Sequence, residues 1–434
     1  MRLLWLGVLA GASAFAANRL PNDVTFYRDV LPVLQKNCQG CHRAGEAAPM
    51  PLLTYKDARP WAKAMREAVM SRRMPPWFAD PHVGKFANDR SMKQADVEVI
   101  ANWAANGAKE GNAKDAPAPV AFTEGWIIGK PDAVFEMAKP VEIPASGTVE
   151  YTYFIIPTGF TEDKWIQMAE VRPGNRALVH HVIAFVREPG QKWFQEYPIG
   201  EPFVPQKRKG GGGDGDGGGM GQFITGFAPG SPPEVLRPGQ AKLIKKGSDF
   251  VFQLHYTANG KPGTDITKVG VKFATGAPKQ RVLTLAAADS KFVIPPGAAS
   301  HSVEGAITLH ADSELISMLP HMHLRGKSME LRAVYATGET EKLLWVPRYD
   351  FNWQLWYQLP EGKIIPKGTR IEATGTFDNS ANNKANPDPG KEVRYGDQSW
   401  EEMMIGFFDV AIDVNMDPRD LVRAKKPATG RTED

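Results

Sequence analysis

Cysteine is almost absent from this chain: Cys38 and Cys41 are its only two cysteines in 434 residues. A disulfide framework is therefore excluded as a source of stability, and so is a closed zinc site built on four thiolates. An excess of one charge is missing as well. With 52 basic against 49 acidic residues the formal net charge is +3, which leaves no electrostatic footprint for nucleic acid. Beyond the first residues no stretch approaches the ~20 consecutive apolar residues that span a bilayer. What remains is an ordinary apolar share of 42%, enough for real cores, in a length that suggests roughly three domains at ~150 residues each.

The start, MRLLWLGVLAGASAFAANRL, reads as a secretory signal. Arg2 supplies the positive start, Leu3 to Ala12 the apolar run, and Ala14-Phe15-Ala16 the small-x-small cleavage site. A signal peptide over residues 1–17 predicts a periplasmic or secreted protein with no stable membrane span once it is cleaved.

Composition then divides the chain. Residues 22–112 are rich in helix formers, and Val97, Ile100 and Trp103 recur at helical spacing. Residues 113–121 form a Pro/Ala linker. From Phe122 onward, short Val/Ile/Phe/Tyr/Thr-rich runs alternate with Gly/Pro turns, the texture of an all-β region. About 300 such residues are long for one sandwich, so two are expected in tandem, over 122–276 and 277–425. The glycine stretch from Lys207 to Gln222 reads as a surface loop between strands.

Cys38-Gln39-Gly40-Cys41-His42 is a C-x-x-C-H motif, the attachment signature of a c-type haem. Two thiols one helical turn apart can add to the two vinyl groups of one haem, and the adjacent histidine then faces the iron. A zinc site would need further ligands, and no other cysteine exists. For the sixth position Met74, followed by the rigid pair Pro75-Pro76, is the expected ligand. Met50, Met65, Met70, Met92 and His82 stay open as alternatives. Residues 24–112 resemble small cytochromes c, which implies an all-α haem domain.

Five of the nine histidines fall into an unusual pattern in the β-rich part: His180 and His181 adjacent, His255 alone, then His321 and His323. Residues i and i+2 of a strand share a face, so His321-Met322-His323 presents two imidazoles together. His180 and His181 would face opposite sides of a regular strand, and they can serve one ion only where the backbone is irregular. Imidazole suits copper, zinc, iron or nickel, and a thioether partner favours copper(I).

The segments LVHHVIAFV, FQLHY, PHMHLRGK and the late Glu402-Met403 resemble the copper type II, ascorbate-dependent monooxygenases, the family of peptidylglycine α-hydroxylating and dopamine β-monooxygenases. The resemblance spans residues 122–425 and implies two jelly-roll-like sandwiches, each holding one copper. It places an electron-storing copper on His180, His181 and His255. It places an oxygen-activating copper on His321, His323 and a methionine, Met403, with Met404 as the rival. The sequence departs from the family at two positions. Leu319 stands where the peptide-amidating enzymes carry a carboxylate-gripping arginine, and Phe407 where they carry a tyrosine. Arg325, beyond the motif, is no clear replacement.

The expectation is therefore a multidomain exported oxidoreductase with one covalent haem c and two coppers. Its partners would be dioxygen, a small organic or peptide substrate and an external electron donor, and it would work as a monomer. The haem domain would pass electrons to copper for hydroxylation of an activated C–H bond. Two alternatives are a copper dehydrogenase donating electrons to the haem, and a non-enzymatic electron carrier or sensor.

Overall fold

Alternation of apolar residues along short runs dictates most of this architecture. In Lys268–Phe273, for example, Val269 and Val271 are fully buried on one face. The computed structural model describes residues 23–46, 48–206 and 222–423. The expected signal segment and the glycine stretch up to Gly221 lie outside the described residues. The chain is mostly β, 36% strand against 12% helix, and its strands form several sheets.

The largest sheet runs, in spatial order, through Ala133–Glu136, Lys268–Phe273, Lys164–Arg172, Gln240–Ile244, Gln280–Ala288, Ile405–Asp413, Ser313–His321 and Tyr357–Ile365. It crosses the expected boundary between the two β regions through one short parallel pairing, Gln280 on Gln240 and Arg281 on Ala241. One half packs against a five-stranded sheet of Pro202–Phe203, Thr152–Pro157, Asp249–Tyr256, Val179–Arg187 and Gln222–Phe227. Phe135, Val171 and Val269 from the first sheet meet Val182, Ile224 and Phe252 from the second in one core. The other half packs against a four-stranded sheet of His301–Thr308, Arg370–Phe377, Gly326–Val334 and Thr340–Val346, with Met318, Leu331, Leu344, Ala373 and Phe408 in the shared core.

Before Phe122 the described elements are helical and short, the longest being the twelve residues Gln94–Ala105. Phe26, Leu34, Met65, Val69, Ile100 and Trp103 form their core. Trp103 is fully buried there, its indole N–H donating to the Lys109 carbonyl at 2.9 Å. This region is not self-contained. After Ala62–Met70 the chain leaves it and docks on the second β region. Trp77 packs on Tyr357 with ring centres 4.8 Å apart, Phe78 is buried in the second β core, and the Asp80 and Ala87 N–H groups donate to the Trp345 and Gln358 carbonyls. Among the described residues no helix is long and apolar enough to cross a membrane.

Candidate metal centres

The first histidine set lies in mid-sheet. Val179–Arg187 pairs antiparallel with Asp249–Tyr256, and His181 stands directly opposite His255. Directly opposed residues of an antiparallel pair share a face, so these two imidazoles meet. The pairing then slips, from His255 on His181 to Tyr256 on Val179. His180 is the extra residue of a β-bulge, the backbone irregularity that lets neighbours turn to one side. Its Nδ1 lies 3.1 Å from His181 Nδ1 and 3.2 Å from His255 Nδ1. Two ligands about 2 Å from one ion stand roughly 3.3–3.5 Å apart at trigonal or tetrahedral angles, close to these separations. A ring nitrogen offers one proton or one lone pair, so His180 Nδ1 cannot make two full hydrogen bonds here. A cation at the centre would use all three lone pairs. Among the described residues this is the group of three or more His, Cys, Asp or Glu able to hold a metal ion.

His321 and His323 sit where Ser313–His321 ends. The His321 ring sets its Nδ1 2.9 Å from the Gln354 side-chain oxygen, and His323 Nδ1 lies 3.3 Å from the Glu401 carbonyl. Each Nδ1 thus carries the proton it donates, which leaves the lone pair on Nε2. Metal-binding histidines are held in this way. His323 Nε2 is buried with no partner, a cost that a ligated ion would remove.

The backbone between these two histidines is pinned by buried groups. The Glu402 carboxylate accepts the N–H of His323 at 2.8 Å and that of Arg325 at 2.6 Å. The Tyr349 hydroxyl accepts from the Met322 N–H and donates to the Met322 carbonyl, at 3.0 and 2.7 Å. Arg325 is itself buried, bonded to Asn379 and to the Trp400 carbonyl, so it holds the fold here and is not offered to a ligand. Burial pushes the Glu402 carboxyl up to about 8, against the pull of the two N–H donors and Arg325.

Register also separates the two methionines. His321 pairs with Ile405. Met404 enters the second β core beside Met322, both crowding the position where Gly375 would carry a Cβ. Alternation sends Met403 to the opposite side. It is buried outside every hydrophobic cluster.

The two sets come from different β regions yet adjoin. The Tyr151 ring lies 4.6 Å from His255, 5.5 Å from His181 and 6.3 Å from His323. Phe351 stacks on His180 at 5.0 Å and reaches His323 at 6.0 Å. Burial keeps the imidazoles neutral, the ligand form: it lowers His180 to about 4 and His323 to about 3, and depresses His181, His255 and His321 as well. A small pocket of about 40 Å³ has both His181 and His321 in its wall, with Leu319, Phe407, Trp356 and Phe227.

Cys38 and Cys41 follow the helix Leu31–Asn37 in a turn in which the Cys41 and His42 N–H groups both donate to the Cys38 carbonyl. Burial pushes the Cys38 thiol up to about 12 and raises Cys41 too. Among the described residues no third His, Cys, Asp or Glu joins them in a metal-sized group. His42 Nδ1 lies 3.1 Å from the Met50 carbonyl, which orients the ring and leaves Nε2 for a ligand. Beside both cysteines opens a cavity of about 950 Å³, within the size that cofactor pockets take. Two adjacent thiols and an imidazole with its Nε2 left over are the donor set a covalent haem takes, but of these only the cysteines line the cavity, and His42 does not. Met74 is half-buried at the end of the helical core and is not among the residues lining this cavity. His82 is exposed to solvent and bonded to Asp80.

Spacing could not have found Tyr151, Phe351, Gln354 or Tyr349, each brought in from a distant segment. Glu402 was legible only as the acidic neighbour of Met403.

No family model and no curated protein matches this chain. Two solved structures of infectious bursal disease virus show a faint likeness at 11% identity. The Gx strain structure covers 67% of this chain and 74% of its own at a TM-score of 0.18, and the Gt strain structure 70% and 77% at 0.16. Likeness at that level carries no argument about fold or function.

Proposed function

We propose that this chain is an exported haem c and copper oxidoreductase, a dioxygen-dependent monooxygenase that hydroxylates an activated C–H bond. The observation that carries this reading is the bulge at His180, which gathers three imidazole nitrogens to ion-binding separations beside a second pair whose Nε2 atoms are free to ligate. Copper supplies one-electron chemistry at such nitrogen and thioether sites, and haem c supplies electrons.

The chain's own groups do the rest. His180, His181 and His255 form a nitrogen-only set suited to holding copper through both oxidation states. His321 and His323, with Met403 as the thioether the sequence resemblance implies, would hold the second copper through two nitrogens and one sulfur. Gln354 and the Glu401 carbonyl fix the tautomers of the second pair. Leu319 and Phe407 make the adjoining pocket apolar on the sides where the peptide-amidating enzymes bind a carboxylate, which favours a small apolar substrate over a peptide acid. At the N-terminal end, Cys38 and Cys41 would hold haem through thioether bonds and His42 Nε2 would ligate its iron; the bound group would supply one-electron transfer. The sixth position stays with Met74 by sequence alone.

Metal analysis of the mature protein beside its reduced optical spectrum tests this reading. One haem c and two coppers per chain, with oxygen-18 from labelled dioxygen appearing in a hydroxylated product, is the expected result. Haem without copper after copper loading would reduce the chain to a cytochrome with structural histidines. Copper and haem with no oxygen incorporation would turn it into an electron carrier or a dehydrogenase.

A further inference from the structure

A lysine is buried where the two β regions meet. Lys242, on Gln240–Ile244, is 1% exposed, although an ammonium leaves water only at high cost unless it is paired. Its Nζ donates to the Ile224 carbonyl at 3.2 Å, lies 3.6 Å from a Glu234 carboxylate oxygen and 3.8 Å from one of Asp409, and stands over the Phe223 ring at 5.2 Å. Phe223, Ile224 and Glu234 belong to the first β region, Asp409 to the second. Asp409 is buried too, and accepts from the Thr284 hydroxyl and, at 3.1 Å, from the Ser317 hydroxyl. Among the described residues, strand pairing across the boundary is limited to Gln280 on Gln240 and Arg281 on Ala241. So short a ladder leaves the relative tilt of the two regions to side chains.

This ion cluster lies on the sheet face that carries a histidine. The cross-strand pairs Ser317–Asp409, Leu319–Phe407 and His321–Ile405 follow at two-residue steps, and residues two apart share a face. Leu319, Phe407 and His321 line the small pocket that also holds His181, and so does Phe223, the ring beneath the Lys242 ammonium. Glu234, whose side chain is 17% exposed, opens on a neighbouring pocket of about 90 Å³. Among the described residues the other charged side chain lining that pocket is Arg237, committed to Glu314 at 2.6 Å. The strand Lys164–Arg172 sets Ala169 opposite Glu234. The charges that face Glu234 are therefore Lys242 and Asp409. Burial pushes its carboxyl up to about 7 against the pull of Lys242, and Asp409 adds to the rise. With Glu234 protonated the cluster holds one cation and one anion. With Glu234 ionised it carries an unbalanced negative charge.

We propose that Lys242 is a positioning residue: its ammonium clamps Glu234 of the first β region to Asp409 of the second, and so fixes the offset at which His181 and His321 enter one pocket. The bearing of this clamp on catalysis rests on the oxidoreductase reading above; the clamp itself does not. A buried ion cluster can serve a unique arrangement more than stability, and here the arrangement is the approach of the two histidine sets. Because folding raises the Glu234 carboxyl, its contribution is full on the acid side and is lost as pH rises through about 7.

Hydrogen exchange on the full-length protein tests the clamp in wild type, Lys242→Met and Glu234→Gln. Lys242→Met is expected to lose protection at Gln240–Ile244 and Gln280–Ala288, the strands that cross the boundary, while Asp249–Tyr256 and Arg370–Phe377 inside the two cores keep theirs. Unchanged protection at the boundary would overturn the proposal. An equal loss in both cores would overturn it as well, because the lysine would then support overall stability alone. If Lys242→Met does not fold, Glu234→Gln decides. Wild type is expected to lose boundary protection as pH is raised through about 7, beyond the intrinsic change in exchange rate, whereas Glu234→Gln keeps it; the same profile in both would overturn the proposal. After copper loading, the dipolar coupling between the two copper(II) ions reads the offset directly. Wild type is expected to give one distance, and Lys242→Met a broadened distribution with each copper's own spectrum retained. An unbroadened distribution would overturn the clamp as the device that sets the histidine offset. A wild-type chain that takes up no copper would instead overturn the oxidoreductase reading, with the clamp still decided by exchange.

Discussion

His180, His181 and His255 sit within a paired sheet, whereas His321 and His323 sit where a strand runs out. In the first set, cross-strand pairing and one bulge bring the ligand nitrogens together, and the imidazoles contact one another. In the second, the imidazoles are oriented from outside, by Gln354 and the Glu401 carbonyl, and the backbone between them is pinned by Glu402 and Tyr349. A sheet can thus build a nitrogen-only site out of its own hydrogen-bond ladder. A pair at a strand end needs a surrounding shell to fix its rings.

The sharpest way to break that comparison is to remove one ligand from each set. His181→Ala and His323→Ala are each expected to lower copper from two to one per chain, with the other site retained, as read by metal analysis after desalting. Loss of both coppers from either variant would mean that the adjoining sets act as one unit.

Next in size is the shell. Glu402→Ala strips the acceptor from the buried His323 and Arg325 N–H groups. It is expected to cost about 2–5 kcal/mol in denaturant unfolding, since each orphaned N–H costs about 1–3 kcal/mol. At the first site Ser399, whose hydroxyl lies 3.4 Å from His255 Nε2, should cost only about 0.5–1.5 kcal/mol as Ser399→Ala. Equal losses would erase the difference between the sites.

Gln354→Leu frees the His321 ring while leaving the ligand itself in place. Copper affinity at the second site should fall ~10–100-fold, with the first site unchanged in a competitive chelator titration. The smallest effect separates the methionines. Met404→Leu is a volume-conserving core change expected to cost under ~1.5 kcal/mol and to leave copper alone. Met403→Leu should spare stability but weaken copper(I) retention at the second site. The reverse pattern would assign the thioether to Met404.

Much of this was legible in the residue order because it depends on near neighbours. The C-x-x-C-H turn, the H-x-H pair and the β texture after Phe122 are short-range patterns, and the mostly β fold follows them. The condition set for His180 and His181, an irregular backbone, is met by the bulge. The helical region was legible as helix, but not its docking: Trp77 and Phe78 read as part of a haem domain, yet they pack on Tyr357 and the second β core, a convergence between distant segments that local spacing does not encode.

The sequence by itself determined the chemical inventory: two thiols with one histidine, five histidines of which His321 and His323 stand at strand spacing, and a methionine beside an acid. Only the tertiary structure decided which of these meet. Tyr151 and Phe351 bring the two histidine sets side by side, Met322 and Met404 share a core so that Met403 turns away from it, and the cavity beside the cysteines borrows its far wall from a sheet more than a hundred residues away. Spacing encodes direction within one element, whereas convergence between elements is set by how buried faces pack, and that is a property of the whole core.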